Sequence, residues 1–506
     1  MKTDSLKHWV VLIVCVIIVV IIIPMSAAAN RKRTNAQLPS VAQAAQDWFG
    51  DGRDGAMPGS GNLDSANGFG EGVVNIGNPG STSINLTDYY GVARINPGDR
   101  VLIHQTQGSF AGCWEINTAV SDFLAGTGNY TLETPLACSY SSAGSNRAQI
   151  LRIPQYASCN VTGVVTPIRA WNGTTGGIFA VMCRDGMIVT GSISGAGGTG
   201  GTAGLNSDCI EQGGAGIGGG FRGGNGFRSH GAGTGCSGWG ELAQAAQQGE
   251  GHLGLGGYST AANGSGGGGG PGQFFRSGSG GGGGNADIGT SGGGADGAST
   301  GGSGGGTIGS ADLSFVHLGG GGGGGQKVYS NNAGGGGSGG GIVVIQAKFL
   351  NLAGTINANG GSGGNGSQPG GGGSGGSILL RVITGTLGTG NITALGGGGG
   401  DGQNKGGNGA NGRIRTEYCN TISGSTLPAV NEQQMSCSFL WTPTPTTTRR
   451  IHPQTPQPQL THQPRRIRLQ IPRPQLRHQH RRLLPLLRLQ ARLLPRRQAS
   501  PRLPKR

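Results

Sequence analysis

Glycine sets the terms for this chain. The block from about Gly176 to Gly412 holds most of its 112 glycines, with unbroken runs at Gly266–Gly270, Gly280–Gly284 and Gly319–Gly325. A residue without a Cβ cannot fill a hydrophobic core, and it loses more conformational freedom on ordering than any other. Three states are open to such runs. They are a flexible coil, the corners of a β-solenoid, or polyglycine II helices, which have the three-residue turn of polyproline II and no internal hydrogen bonds. Bare helices of that kind can approach closely and bond to one another through N–H and weak Cα–H donors.

Three segments inside the block share one pattern. Gly176–Gly198 reads GGIFAVMCRDGMIVTGSISGAGG, Gly340–Gly361 reads GGIVVIQAKFLNLAGTINANGG and Gly375–Gly397 reads GGSILLRVITGTLGTGNITALGG. Each opens on Gly-Gly, runs through an aliphatic stretch and a turn, and closes on x-I-x-(A/G)-x-Gly-Gly. The first and third align without a gap, the second is one residue shorter, and Ile193, Ile356 and Ile392 take the same place. Short Ile/Val-rich runs bounded by glycine predict two strands joined by a turn in each segment. The second and third segments are offset by 35 residues, the first and second by 164. The smaller number suits a repeat and the larger does not. That favours a small β-sheet core with glycine-rich excursions over a regular solenoid.

Glycine and proline, 112 and 23 of 506 residues, exceed a quarter of the chain, a composition that usually marks low complexity. The patterned segments argue against disorder throughout. The length is enough for two to four domains.

The N-terminus reads as an export signal: Lys2 and Lys7, then the apolar run Val10–Ile23, then Pro24 and the small residues Ser26 to Ala29. The run is short for a membrane span. Arg31-Lys32-Arg33 allow an uncleaved anchor, the one route by which the chain would meet a membrane. Export changes how the cysteines read. Eight remain after the signal: Cys113, Cys138, Cys159, Cys183, Cys209, Cys236, Cys419 and Cys437. An even count outside the cytosol predicts disulfides. Sequential pairing would close four similar local loops, although sequence does not determine connectivity. There is no C-x-x-C and no His at ligand spacing, so no metal site is expected.

Residues 47–170 differ from the block that follows. Pro97-Gly98-Asp99 is a turn signal with a strand starting at Val101–Ile103; Gly128–Leu132 and Ala148–Ile153 read as further strands. This spacing predicts a small β-barrel or sandwich. Helical periodicity is weak, with short helices conceivable only at Val41–Trp48 and Glu241–Gln248. The phrases FGDGRDG (49–55), GDRVLIHQTQG (98–108), ILRIPQYASCNVT (150–162), AWNGTTGGIFAV (170–181), GSISGAGG (191–198) and GFRGGNG (220–226) resemble a group of large glycine-rich extracellular proteins of gliding and filamentous bacteria. The resemblance spans about 49–418 and implies a surface or matrix protein of β architecture. It brings no catalytic residues. A looser similarity to the glycine-rich domains of some animal receptors supports polyglycine packing by analogy.

Asn411–Tyr418 reads as a closing strand, and Cys419 and Cys437 as a staple on the end segment 419–440. Trp441–Thr446 opens a Thr-Pro linker of the extended type. Beyond it, 49 of the 58 residues Arg449–Arg506 are His, Pro, Gln, Arg or Leu. Thr-Pro codons read one base along encode only those five, so the tail looks like a Thr-Pro stalk out of frame. It carries 16 of the 37 basic residues and no acid, leaving 21 against 22 acidic residues elsewhere. The high pI belongs to the tail. If genuine, the tail would bind nucleic acid or another anionic polymer by counterion release.

Chemistry-bearing motifs are sparse. G-x-G-x-x-G and G-x-S-x-G strings are expected by chance here, and none sits in a strand–helix unit. A glycosidase needs two positioned carboxylates; Asp99, Glu115, Asp122 and Glu133 are the candidates, Asp99 more simply as a turn residue. Asp51 and Asp54 lie in a Gly-Asp-Gly-x-Asp-Gly loop without the rest of a calcium ligand set. His104, His230, His252 and His317 are isolated. Trp114, Tyr156, Trp171 and Trp239 are candidates for stacking on sugars, with core packing as the plainer role of Trp114 and Trp171.

The expected protein is all-β: the 47–170 module, then a glycine-rich β core (171–418) with polyglycine-II-like or solenoid excursions, preceded by a signal (1–29) and linker (30–46) and followed by 419–440 and the 441–506 tail. It is exported, secreted or on the cell surface. It is structural or adhesive, with no catalytic, cofactor or metal residues, and its partners are cell-surface polysaccharide or other surface proteins. The alternative is a polysaccharide-active enzyme of β-helix type. Resequencing the gene across codon 448 checks the tail; a one-base shift that restores a Thr-Pro repeat is the expected outcome.

Overall fold

The computed structural model describes residues 48–63, 70–90, 95–122, 128–201, 210–211, 219–229, 245–272, 277–295, 300–328 and 333–437. All lie in the first of two compact units, Met1–Thr444. The export signal, the linker, the tail, Cys209, Cys236, His230 and Trp239 fall outside the described residues. Among those described, the regular elements are β-strands and there is no α-helix, so the class is all-β. Where a helix was conceivable near Gln247, that residue instead bridges Tyr258.

A twelve-stranded sheet carries the repeats. Their aliphatic runs stack parallel and in register: Ile178 beside Ile342, Ile342 beside Ser377, Ser377 beside Arg413. Toward the end of each repeat, Val165, Ile193, Ile356, Ile392 and Thr426 form a second parallel row. The places aligned in sequence are therefore neighbours in space. The offset of 164 residues does not interrupt the row, because Ile178 and Ile342 are paired and the chain between them leaves and returns. The strands Gln155–Tyr156, Cys159–Val161 and Val164–Thr166 join the same sheet, although their composition grouped them with the N-terminal module. In the third repeat the two expected strands are one, Ser377–Thr393, with register shifts near the expected turn.

Alternation explains the aliphatic runs. Phe179, Val181 and Cys183 face an inner core with Val343, Ile345, Ile378, Leu380 and Ile414. Ile178, Ala180 and Met182 point the other way, onto Leu102, Ile116, Leu151 and Ile153 of a second sheet. A strand buried on both faces reads as an unbroken apolar run. The second sheet is seven-stranded and antiparallel, in the order Trp114–Thr118, Arg100–Gln107, Arg147–Arg152, Glu71–Gly77, Ser83–Tyr90, Gly128–Thr131, with Tyr140–Ser141 beside Glu71–Gly77. It curls on itself. Val120 N donates to Thr131 O and Glu133 N to Thr118 O, joining the ends of the outermost strands around Val74, Ile84, Leu86, Val101, Ile103 and Ile150.

The glycine runs are ordered by their backbones. In 370–376 successive N–H groups turn through three neighbours and return every third residue. Gly371 and Ser374 donate to Gly323 and Gly320, Gly372 and Gly375 to Gly407 and Ala410, and Gly370, Gly373 and Gly376 to Gly364, Gly361 and Ala358, all at 2.7–3.0 Å. The run 334–340 repeats the scheme toward Gln368, Gly371 and Ser374, toward Gly201 and Gly198, and toward Gly224 and Phe221. A donor direction that repeats every three residues is that of a three-residue turn. Some neighbours run parallel and others antiparallel. Each run donates to three others, where a sheet strand has at most two neighbours; 370–376 also accepts from Gly337, Gly283 and Gly397 of further runs. Side chains are excluded by this spacing: a Cβ on Gly322 would collide with the backbone of Gly371, and one on Gly373 with Ser338. Serine enters where its hydroxyl adds a link. Ser374 Oγ donates to Gly284 O at 3.0 Å and accepts from Gly320 N at 2.8 Å.

Gly322→Ala is expected to lower unfolding stability by about 1–3 kcal/mol through overpacking. Gly398→Ala, where a Cβ meets nothing within 4 Å, should stay within about 0.5 kcal/mol of the parent. Denaturant titration of the two variants makes the comparison, and equal effects would refute steric exclusion as the role of these glycines.

Candidate functional site

The acidic candidates are placed as follows. Asp99 closes its turn by accepting from Asn96 N at 2.8 Å, and it is clasped by Arg152 Nε at 2.8 Å and Arg53 Nη1 at 3.3 Å. Arg152 also reaches Asp54 at 2.8 Å, whose other oxygen accepts from Gln155 N at 2.7 Å. Asp51 pairs with Arg53, whose hydrogen bond holds its carboxyl below the usual range. Both aspartates of the 49–55 loop thus face arginines, Asp51 one within the loop and Asp54 one on the antiparallel sheet. Glu115 is buried; it accepts from Tyr140 Oη at 2.9 Å and Ala137 N at 3.1 Å, and burial raises its pKa. Asp122 and Glu133 are exposed. Among the described residues no group of three or more His, Cys, Asp or Glu is placed to hold a metal ion.

The aromatic candidates divide by burial. Tyr156 is fully buried in the inner core. Trp171 is buried edge-to-face with Phe221 and donates from Nε1 to Glu250 at 3.0 Å. Trp114 is half-buried, with the Arg381 guanidinium 5.5 Å over its ring and Nε1 donating to Leu313 O at 3.1 Å. The same guanidinium lies 5.2 Å from the Trp48 ring and 2.7 Å from Glu417. Of the cysteines, Cys113–Cys138, Cys159–Cys183 and Cys419–Cys437 are disulfide-bonded, each to its neighbour in sequence. Such bonds persist in oxidising, extracellular compartments.

Two features carry no local signal in sequence. Glu250 stands between glycines, yet it is buried where the antiparallel sheet meets the glycine runs. It accepts from Gln107 Nε2 at 2.9 Å, Trp171 Nε1 at 3.0 Å, Arg222 Nε at 2.9 Å and Arg222 N at 3.1 Å. A buried carboxylate needs such partners, and these four tie three segments together. The second feature is the outward face of the parallel sheet. Asn160, Ile188, Asn351, Thr386 and Ser423 lie in one row across five adjacent strands, all exposed. Beside them, Phe349, Thr384 and Thr421 form a second row. Both rows are uncharged. Only strand parity and register bring these residues together, and neither is visible in the local sequence.

No protein family, curated protein or solved structure matches the chain.

His104 is a structural histidine. Its Nε2 donates to Val316 O and its Nδ1 lies against Thr106 Oγ1, both at 2.9 Å. A carbonyl can only accept, so Nε2 bears the proton and the hydroxyl donates to Nδ1. Burial depresses the imidazole pKa from 6.5 to about 4. The unfolded chain therefore takes up a proton that the folded one refuses as pH falls through this window. Stability present above pH 6.5 should decline by about 3 kcal/mol toward pH 4. Unfolding of the parent and of His104→Gln, followed from pH 7 to pH 4, checks this. The variant should lose that part of the slope.

Proposed function

We propose that this is an exported, non-catalytic structural or adhesive protein of the bacterial cell surface or matrix. The observation that carries the reading is the cross-bonding of the glycine runs, each donating to three others. It builds stiffness from backbone alone, with the runs themselves buried and carrying few reactive side chains. In this reading the runs are polyglycine II helices, and they brace a solenoid whose coils are the aligned repeats and the 155–166 strands. The disulfides suit an exported chain. The engagement of Asp99 by two arginines and of Glu115 by Tyr140 supports roles in holding the fold. Partners are cell-surface polysaccharide or other surface proteins, in keeping with the surface or matrix location that the resemblance to extracellular proteins of gliding and filamentous bacteria implies.

The test is retention of the full, oxidised chain on a panel of cell-wall and matrix polysaccharides, with release of reducing ends followed in parallel. Retention without new reducing ends is the expected outcome. New reducing ends that persist in a repurified sample would overturn the non-catalytic reading and make Asp99, Glu115, Asp122 and Glu133 the residues to mutate.

A further inference from the structure

The two uncharged rows on the parallel sheet form a grid. Adjacent strands stand about 4.8 Å apart and alternate residues about 6.6–6.8 Å apart along a strand. The hydroxyl and amide groups of Asn351, Thr384, Thr386, Thr421 and Ser423 are therefore held at repeating positions on regular backbone. Groups mounted on a sheet lose little further freedom when they bind.

The second observation is Phe349. Its side chain is 42% exposed, although it belongs to a strand whose preceding aliphatic residues are buried. Beside it lies Gly186, with φ +147°, where a Cβ would occupy the space of the ring. The ring thus rests on bare backbone and turns its remaining surface to solvent. Ile188, 40% exposed, continues the apolar patch from the strand that Gly186 precedes.

Charge narrows the partner. Charged groups stand at the bend before the rows. Arg184 and Asp185 pair there at 3.0 Å, which lowers the pKa of Asp185, and Lys348, exposed and next to Phe349 in the chain, opposes the charge of Asp185 and lowers that pKa further. A polyanion draws its affinity from cations on phosphate-like groups, and these rows offer none. The face instead joins an aromatic and an aliphatic surface to closely spaced hydroxyls and amides that both donate and accept. That matches a ligand with apolar ring faces and dense hydroxyls but no charge, presented as a repeat.

We infer that this face binds a neutral, unbranched polysaccharide, with sugar rings against Phe349 and Ile188 and sugar hydroxyls on the Asn, Thr and Ser grid. The inference rests on the adhesive reading and assigns it a surface and a ligand class. The test is depletion of the full, oxidised chain by microcrystalline cellulose and by chitin, in 0.1 M and 1 M NaCl. The variants are Phe349→Ala, Thr386→Arg and, as a control elsewhere on the surface, Phe110→Ala. Circular dichroism and thermal midpoints confirm that each is folded. Retention that changes less than about 2-fold with salt, falls 10-fold or more in Phe349→Ala and Thr386→Arg, and is untouched in Phe110→Ala supports the assignment. Thr384→Lys replaces either face variant that does not fold. Retention unaffected by the face variants overturns it, as does retention abolished by 1 M NaCl. Absence of retention on both glycans overturns it too. If the protein nonetheless coats cells of the producing strain, the adhesive reading stands and only the face and its ligand are wrong.

Discussion

The fold depends on a hydrogen bond between backbones that no side chain separates. Two glycine runs can lie close enough for N–H to meet C=O only because neither carries a Cβ, and a three-residue turn sends successive donors to different neighbours. In most proteins an amide is satisfied within a helix or across a sheet. Here Gly371, Gly372 and Gly373 donate in three directions, to Gly323, Gly407 and Gly361. Glycine's large entropy of ordering is set against dense backbone bonding, each bond contributing about 1 kcal/mol net. The glycine runs lead straight into the aliphatic strands, as where Gly376 passes directly into the buried run that starts at Ser377.

Polar anchors fix how the layers meet. Apolar contact between Leu102, Ile116 and Met182 is permissive about register; a buried carboxylate with four donors is not. Glu250 and the Asp99–Arg152–Asp54 cluster define which loop sits on which sheet. Breaking a buried pair leaves a charge without a partner, which is far more disruptive than losing the pair as a whole.

Much of the β core was legible in the residues. The alignment that equated Ile193, Ile356 and Ile392 named residues that stand side by side, because a parallel stack places repeat-equivalent positions next to one another. The strands at Val101, Gly128 and Ala148 followed from turn signals and alternation. Other features were hidden for physical reasons. The 155–166 strands lack the flanking Gly-Gly that marks the three repeats. The pairing of glycine runs is invisible because every run has the same composition, so Gly371 carries no mark that says Gly323. Of the aromatic candidates, Tyr156 and Trp171 are chemically suited to a ligand but buried. Phe349 stands in sequence as one more apolar residue in a strand, yet it is exposed because a glycine on the adjacent strand's bend makes room for it.

The insertion between Ile178 and Ile342 also bears on how the chain reaches this state. By loop-closure entropy, bringing together ends 164 residues apart instead of 35 costs only about 1.4 kcal/mol more, so the detour weighs little at equilibrium. It weighs more on kinetics, which slow as contacts become less local. The parallel strands cannot pair in the order of synthesis, since the strand at Ile342 has to find that at Ile178 across the whole glycine-rich excursion. The excursion is bonded extensively to itself, as where Gly267 and Gly270 donate to Gly321 and Gly324 and Gly281 to Gly268, and only part of its bonding waits on the later runs, 358–376 and 394–412. The same internal bonds shorten the detour, because a glycine-rich excursion that orders on itself carries Ile342 back toward Ile178.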